Sequence, residues 1–494
     1  MILQILSKKN TQKVIYILII TILLAKDVLN IFSAKIPVGI DGYYYILQID
    51  SLLKNGSFYF PTSTPFILYF LTALSLLLGN SVSAVKIGAL LLQTSLCFAV
   101  FSIVKNLTES IWLGLIAFAI CCISGLHLYL IVEYINYLGG ISFLLWAIYF
   151  SLNFFQKRRI IFLVGAIGCF LMAVGSHRAI IAISLLLIIV AVLTRALLKA
   201  VDTNRKTQKI LCIAAFILFF IFPSLLVIQP FYSLPDSWRN EFFLLPVFPA
   251  RLSNFPELLI LFCASIIVLL AGFLQKESNV NKNQRLFFGI LAFWSLFVTL
   301  NPFISSEIGF TTIGGRLRVL SYIQAALLIS AIIWLLREKY KNIIWYVAAV
   351  VTPLMIWSFL NPLPRGLHPD YLARRERLTG GLKSDTRQIE SNSIIVADHG
   401  EQFLVTAITG VPSQQFYPRD KKYDSVYFLL NLIPPTLLDS SMQVISKDKV
   451  GSCTVLVKDT EMFRKRLQSP EVRQLFRRAN RPLDKFLTEY GYPY

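Results

Sequence analysis

The sequence predicts an all-α polytopic membrane protein with about eleven transmembrane helices, one interfacial helix and a small C-terminal α/β domain. Three observations carry that prediction. Hydrophobic residues make up 56% of the 494, with a mean hydropathy of +0.64; a soluble chain with that much apolar side chain cannot cover itself with polar groups. The apolar residues fall in separate runs of roughly 16 to 22, close to the length a helix needs to cross ~30 Å of hydrocarbon. These runs lack the alternation of barrel strands, and in lipid only helices and closed barrels satisfy the backbone.

The first run, 14–33, has no small-residue cleavage site and reads as a span rather than a removable signal. Further spans are expected at 83–104, 111–126, 138–155, 160–175, 179–197, 210–228, 257–274, 286–300, 317–336 and 343–360. The run Pro65–Leu78 is apolar but short and opens on Thr-Pro, so it reads as a helix lying at the interface.

Charge then sets the orientation. The net charge is +20, but residues 1–364 carry 27 Lys/Arg against 12 Asp/Glu, and residues 365–494 carry 20 against 15. Most of the excess lies between apolar runs, where it reports topology rather than a nucleic-acid partner. With the N-terminus in the cytoplasm, eighteen Lys/Arg fall in inner segments and eight in outer segments before the tail. Counting Pro65–Leu78 as a span reverses every later loop and destroys that asymmetry. The expectation is a cell (inner) membrane protein with its C-terminal 130 residues outside.

Two domains follow: a transmembrane domain over 1–364, with a long first outer loop at 34–82, and an extracytoplasmic α/β domain over 365–494. In the tail, 393–398, 425–432 and 453–459 read as strands and 461–468 and 470–479 as basic helices. Six of the seven cysteines lie in apolar runs and Cys453 is alone in the tail, so neither metal spacing nor a tail disulfide is indicated.

Polar residues collect on the outer side, near span ends. Asp41 stands eight or nine residues beyond the first span and opens Asp41-Gly42-Tyr43-Tyr44-Tyr45, followed by Gln48, Asp50 and Asn55-Gly56. A carboxylate at headgroup depth is partly desolvated, which suits it to take a proton from an attacking hydroxyl; the plainer role is N-cap of a helix over 42–53. A second cluster runs from His127 to Asn136 and contains Glu133, at the outer boundary or in a solvated loop. The third is Ser176-His177-Arg178. The fourth runs from Glu307 to Arg318, where Arg316 and Arg318 fork-match phosphate oxygens or simply snorkel. Lys26 and Asp27, inside span one, point to different faces and pair with neighbouring helices. The tail's Asp398-His399-Gly400-Glu401 is the polar loop expected at a strand's end.

The order of these parts resembles the GT-C superfamily of membrane glycosyltransferases, which use polyprenyl-phosphate-linked sugars. Asp41-Gly42-Tyr43-Tyr44-Tyr45 with the later Asn55-Gly56 is similar to a segment of the oligosaccharyltransferase catalytic subunits. Thr64–Tyr69, Leu78–Ser81 and Lys86 resemble the aminoarabinose transferases, and protein mannosyltransferases share the layout. Glu133–Asn136 stands where the superfamily carries its second outer motif, and Arg316–Tyr322 resembles its entry to a late span. Gly42 replaces the second acid of the usual pair, and the Trp-Trp-Asp motif is absent from the tail.

The resemblance implies an inverting hexosyl- or pentosyltransferase of the cell envelope. Asp41 is the expected general base, with Glu133 the second catalytic acid. Arg318, Arg316, Arg178 and His177 are expected at the donor phosphate, and Tyr44, Tyr45, Asp50 and His127 at the substrates. Asp41 and Glu133 would hold a divalent cation, Mg or Mn, if one is used. The partners implied are a polyprenyl-phosphate sugar donor, a lipid, glycan or protein acceptor and membrane lipids, with no nucleic acid. The rival readings are a polysaccharide polymerase or O-antigen ligase, a multi-pass transporter or flippase, and an accessory subunit.

Overall fold

A computed structural model describes residues 9–124, 126–202, 256–274, 282–300, 319–337, 365–385, 389–398, 400–414, 422–433, 435–448 and 451–467, with positions 210, 317 and 418. The chain divides into two units. One comprises Met1–Val28, Ser63–Ile67 and Leu90–Pro362; the other comprises Leu29–Thr62, Leu68–Ala89 and Leu363–Tyr494.

The described residues are mostly helical. In order they form α1 Lys9–Ile31, α2 Gly42–Asn55, α3 Phe66–Leu78, α4 Ser81–Thr108, α5 Ile111–Ile123, α6 Leu126–Glu133, α7 Ile135–Lys157, α8 Ile160–Ser176, α9 Ala179–Asp202, α10 Pro256–Leu274, α11 Lys282–Leu300 and α12 Ser321–Leu336. Among them α4, α7 and α9 are long and apolar enough to cross a membrane. The pair α5 and α6, bent by 65° at the break between them, makes a fourth if taken as one span. Of the run expected at 210–228 only Ile210 is among the described residues, and the run expected at 343–360 lies outside them.

In the first unit α7 packs on α8 across a two-residue turn, α10 packs on α11 and α12, and α12 packs on α5. Arg158 ends α7 in the left-handed region, φ 56°, which lets the chain reverse within Arg158-Arg159. Gly165 of α8 faces the Phe150 ring of α7, where a Cβ would approach to 3.2 Å; the missing side chain brings the helices together. The sidedness of α8 is the reverse of a soluble helix. Its outward stripe is Ile160, Ile161, Val164, Ile167 and Leu171, while Ala166, Cys169, Ala173 and Ser176 are buried. A similar apolar stripe, Ile181, Leu185, Ile188 and Val192, faces outward on α9. Large apolar groups outside and small ones inside suit a surface in contact with lipid. Buried hydroxyls bond to their own helix: Thr194, Ser265 and Thr299 donate to the carbonyls of Val190, Leu261 and Ser295.

The second unit carries α2, α3 from Leu68 onward, the start of α4 and the C-terminal segment. Its remaining helices are α13 Pro369–Asp385, α14 Glu401–Thr409 and α15 Glu461–Leu467. Its strands are β1 Ser393–Val396, β2 Ser413–Gln414, β3 Ser425–Ile433, β4 Met442–Lys447 and β5 Cys453–Lys458, in spatial order β2-β1-β3-β5-β4. β1 runs parallel to β2 and β3, with Ile395 opposite Tyr427; β5 is antiparallel to β3, with Val457 opposite Phe428. Val396, Phe428, Leu430, Val455, Val457 and Phe463 close the core of this small domain. The strands expected at 393–398, 425–432 and 453–459 are present. β4 and β2 went unforeseen: Met442–Lys447 carries two polar residues and a lysine, and β2 is only two residues long. The helix expected at 461–468 is α15, and 470–479 lies outside the described residues.

Candidate functional site

The loop after α1 leads into α2 through Gly39, which takes φ 90°, and Asp41, which occupies the N-cap position. Capping is done by the Asp41 backbone, whose carbonyl accepts from the Tyr44 N–H at 2.9 Å. The carboxylate makes no capping hydrogen bond, and its Oδ1 is shielded from solvent. Gly42 fits the turn for a steric reason: a Cβ there would stand 3.0 Å from Pro37 Cβ. A second acid at 42 therefore requires Pro37 to move. Asn55-Gly56 ends the helix, with Gly56 at φ 69° returning its N–H to Leu52 O.

The α2 face is fixed by side chains of the same unit. The Gln48 amide grips Phe60 in two directions, donating to its carbonyl at 2.9 Å and accepting from its N–H at 2.9 Å. Gln48 also donates to the Tyr44 hydroxyl at 3.0 Å. Tyr44, Phe60 and Phe403 form a ring cluster with centroids 5.4 to 5.9 Å apart. Burial pushes the Tyr44 phenol up from its ordinary range; the Gln48 bond pulls it back, and the Asp41 charge raises it further. Asp41 therefore lies within electrostatic reach of the Tyr44 hydroxyl. Tyr45 is buried edge-on against Tyr44 at 5.4 Å, and Tyr43 is buried beneath Arg375. Asp50 accepts from Ser81 Oγ at 2.5 Å, tying α2 to the start of α4. Lys86 is buried, donates to the Ala34 carbonyl and lies 5.4 Å from the Phe32 ring.

Arg375 escapes a reading of the sequence, because it sits in the run Arg374-Arg375-Glu376-Arg377, which looks like a solvated helix face. Its side chain is 0% exposed. Nη1 donates to Gly39 O at 2.5 Å and Ile40 O at 3.4 Å, and Nη2 donates to Gly400 O at 3.0 Å. Gly400 is needed at that crossing: it takes φ 86°, and a Cβ would meet Ile40 Cγ2 at 2.4 Å. Beyond it, Glu401 is buried, paired with Arg374 and accepting from Asn431 Nδ2 at 2.6 Å. The polar Asp398–Glu401 segment thus has a structural job in the domain; His399 lies outside the described residues.

The other expected residues belong to the first unit. His127 is fully buried in α6, with Nε2 2.7 Å from Asp27 Oδ1 and Nδ1 against the Ser124 carbonyl. Both ring nitrogens are occupied inside the protein. Glu133 is the last residue of α6 and is buried, not in a solvated loop. His177 Nδ1 accepts from the Ala179 N–H at 3.1 Å, and its ring meets Tyr137 edge-on at 5.2 Å. Arg178 is exposed in the same turn. Arg316 and Arg318 lie outside the described residues. Asp41 and Glu133 fall in different units. Among the described residues no group of three or more His, Cys, Asp or Glu is placed to hold a metal ion.

No protein-family model matches the sequence, and no curated protein matches it.

Proposed function

We propose that the chain is a membrane glycosyltransferase of the GT-C type, moving a sugar from a polyprenyl-phosphate carrier to an acceptor on the extracytoplasmic face of the cell membrane. The observation that carries this reading is the state of Asp41. It stands at a helix N-terminus with its carboxylate outside the cap and shielded from solvent, in a loop braced by Arg375.

In this mechanism Asp41 removes the acceptor's proton as that hydroxyl attacks the anomeric carbon opposite the phosphate, so the configuration inverts. The C1–O bond to phosphate breaks, and the departing polyprenyl phosphate keeps the electron pair. Arg318, with Arg316 or Arg178 and His177, receives the negative charge that develops there. Glu133 positions the acceptor or, with Asp41, holds a divalent cation if one is used.

The topology proposed with it has eleven crossings, a cytoplasmic N-terminus and an extracytoplasmic tail. Two facts support it: the Lys/Arg asymmetry between loops, and the hydrogen bonds from Arg375 of the tail to Gly39 and Ile40 of the first loop. Segments joined in that way must lie on one side of the bilayer.

The second reading, a transporter, draws on the buried Asp27–His127 pair, because charge at membrane depth commonly marks a path for an ion or substrate. Lipid mass spectrometry separates the two. Membranes from cells lacking the protein should accumulate a polyprenyl-phosphate sugar, wild-type protein should clear it, and Asp41→Asn should not. Clearance by Asp41→Asn removes the base role. If no such lipid changes in the deletion, the transferase reading falls and the transporter takes its place.

A further inference from the structure

We infer that Arg375, in the C-terminal domain, is a positioning residue for Asp41; the inference rests on the reading of Asp41 as the base. A buried cation costs stability unless it is well paired, and an apolar side chain of like volume would serve a core better. Among the described residues the hydrogen bonds of Arg375 go to three backbone carbonyls and to no carboxylate. Two of those carbonyls belong to Gly39 and Ile40, the residues immediately before Asp41. The third belongs to Gly400, whose own backbone crosses Ile40.

The geometry has a direct consequence for the loop. A guanidinium presents its donors in a rigid planar fork, so holding the carbonyls of 39 and 40 sets the direction in which the chain enters α2. The rings of Tyr43 and Tyr371 flank the fork at 5.2 and 5.4 Å and fix it in turn. Tyr43 is the second residue of α2 and its hydroxyl shares a hydrogen bond with the Thr379 hydroxyl on α13 at 3.3 Å, so α13 touches the entry to α2 on both sides of Asp41. Lysine carries three donors on one rotatable nitrogen and lacks the rigid planar fork that holds the Gly39 and Gly400 carbonyls from two separate nitrogens. The tail thereby completes the first loop, across 336 positions of sequence.

The test follows consumption of the endogenous polyprenyl-phosphate sugar in isolated membranes carrying full-length protein, at a series of pH values. Arg375→Lys, with its β-sheet amides still protected from exchange, should consume donor about 10²-fold more slowly, the cost of a reacting group displaced by ~1 Å. The shape of the profile separates positioning from a loss of folded protein. Wild-type consumption should reach a plateau as pH rises, the behaviour of a reaction served by a positioned base. The residual rate of the variant should keep climbing with pH, because hydroxide stands in for a misplaced base. A merely structural Arg375 would lower the amplitude and leave the shape alone.

Should Arg375→Lys lose its sheet protection, Gly39→Ala strains the same loop at φ 90° while leaving the Arg375 side chain intact, and it should give the same altered profile. Wild-type rate and shape in whichever variant remains folded, alongside an inactive Asp41→Asn, overturns the positioning role alone. Normal consumption by Asp41→Asn overturns the base reading itself, and the positioning role with it.

Discussion

His127 Nε2 stands 2.7 Å from Asp27 Oδ1, with neither side chain in contact with solvent and 100 residues of chain between them. The pair joins α1 to the bent α5–α6 segment within the first unit. Its second anchor is the Ser124 carbonyl, at the break itself, which accepts from His127 Nδ1.

Removing one partner of a buried pair leaves the other uncompensated, at a cost of about 3–5 kcal/mol. Asp27→Ala and His127→Ala should each lower the unfolding temperature of the detergent-purified protein. The double variant Asp27→Leu/His127→Leu, which buries no orphan, should lose less than either. Single variants that melt with the wild type would mean that the pair adds nothing to stability.

Adjacent glycines in α13 should respond with opposite signs. A Cβ at Gly380 meets nothing within 4 Å, whereas one at Gly381 would stand 1.9 Å from the Ile445 carbonyl oxygen of β4. Gly380→Ala should therefore gain about 1 kcal/mol of helix propensity. Gly381→Ala should lose about 1–3 kcal/mol or more through overpacking against backbone. Denaturant midpoints of the two variants compare them directly, and a shared sign would contradict the packing of α13 on β4.

Alkaline pH should loosen the second unit. Burial raises the phenols of Tyr43 and Tyr44 above their ordinary range, so both ionise more readily in the unfolded chain. The folded chain then binds more protons in that range, and stability falls as pH rises. The contribution is intact below pH ~10, the ordinary phenol value, and disappears as pH climbs through the raised folded values. Thermal scans from neutral to strongly alkaline pH should show that decline, with a shallower slope in Tyr44→Phe. An unchanged slope in both Tyr43→Phe and Tyr44→Phe would assign the decline to other groups.

Reporter fusions check the proposed topology. Alkaline phosphatase fused within the first loop near Ser57 and after Asp459 should be active at both places, and inactive when fused at Lys157. Activity at only one of the first two would conflict with the bonds of Arg375 to Gly39 and Ile40. Activity at Lys157 would reverse the expected orientation.

By itself the sequence determined the apolar helices and three of the five strands, because those depend on neighbouring residues. A run of leucine, isoleucine and phenylalanine must be helical in lipid wherever it goes, and Ser425–Ile433 alternates or fills a core strand whatever its partners. It also placed Asp41 at the mouth of α2, since Asp before a helical run is a local signal.

Only the tertiary structure decided what these residues meet. Arg375 belongs to a basic run that local pattern reads as solvated, yet it is buried on the carbonyls of Gly39 and Ile40. His127 reads as part of an outer polar cluster, yet its ring is held between Asp27 and Ser124. The asparagine and glycine at 55 and 56 read as a motif, and the structure shows them closing α2. The physical reason is one of range. Periodicity and capping act over a turn or two of chain, whereas a pairing across 100 or 336 positions is set by how folded elements pack, and that leaves no trace in local spacing.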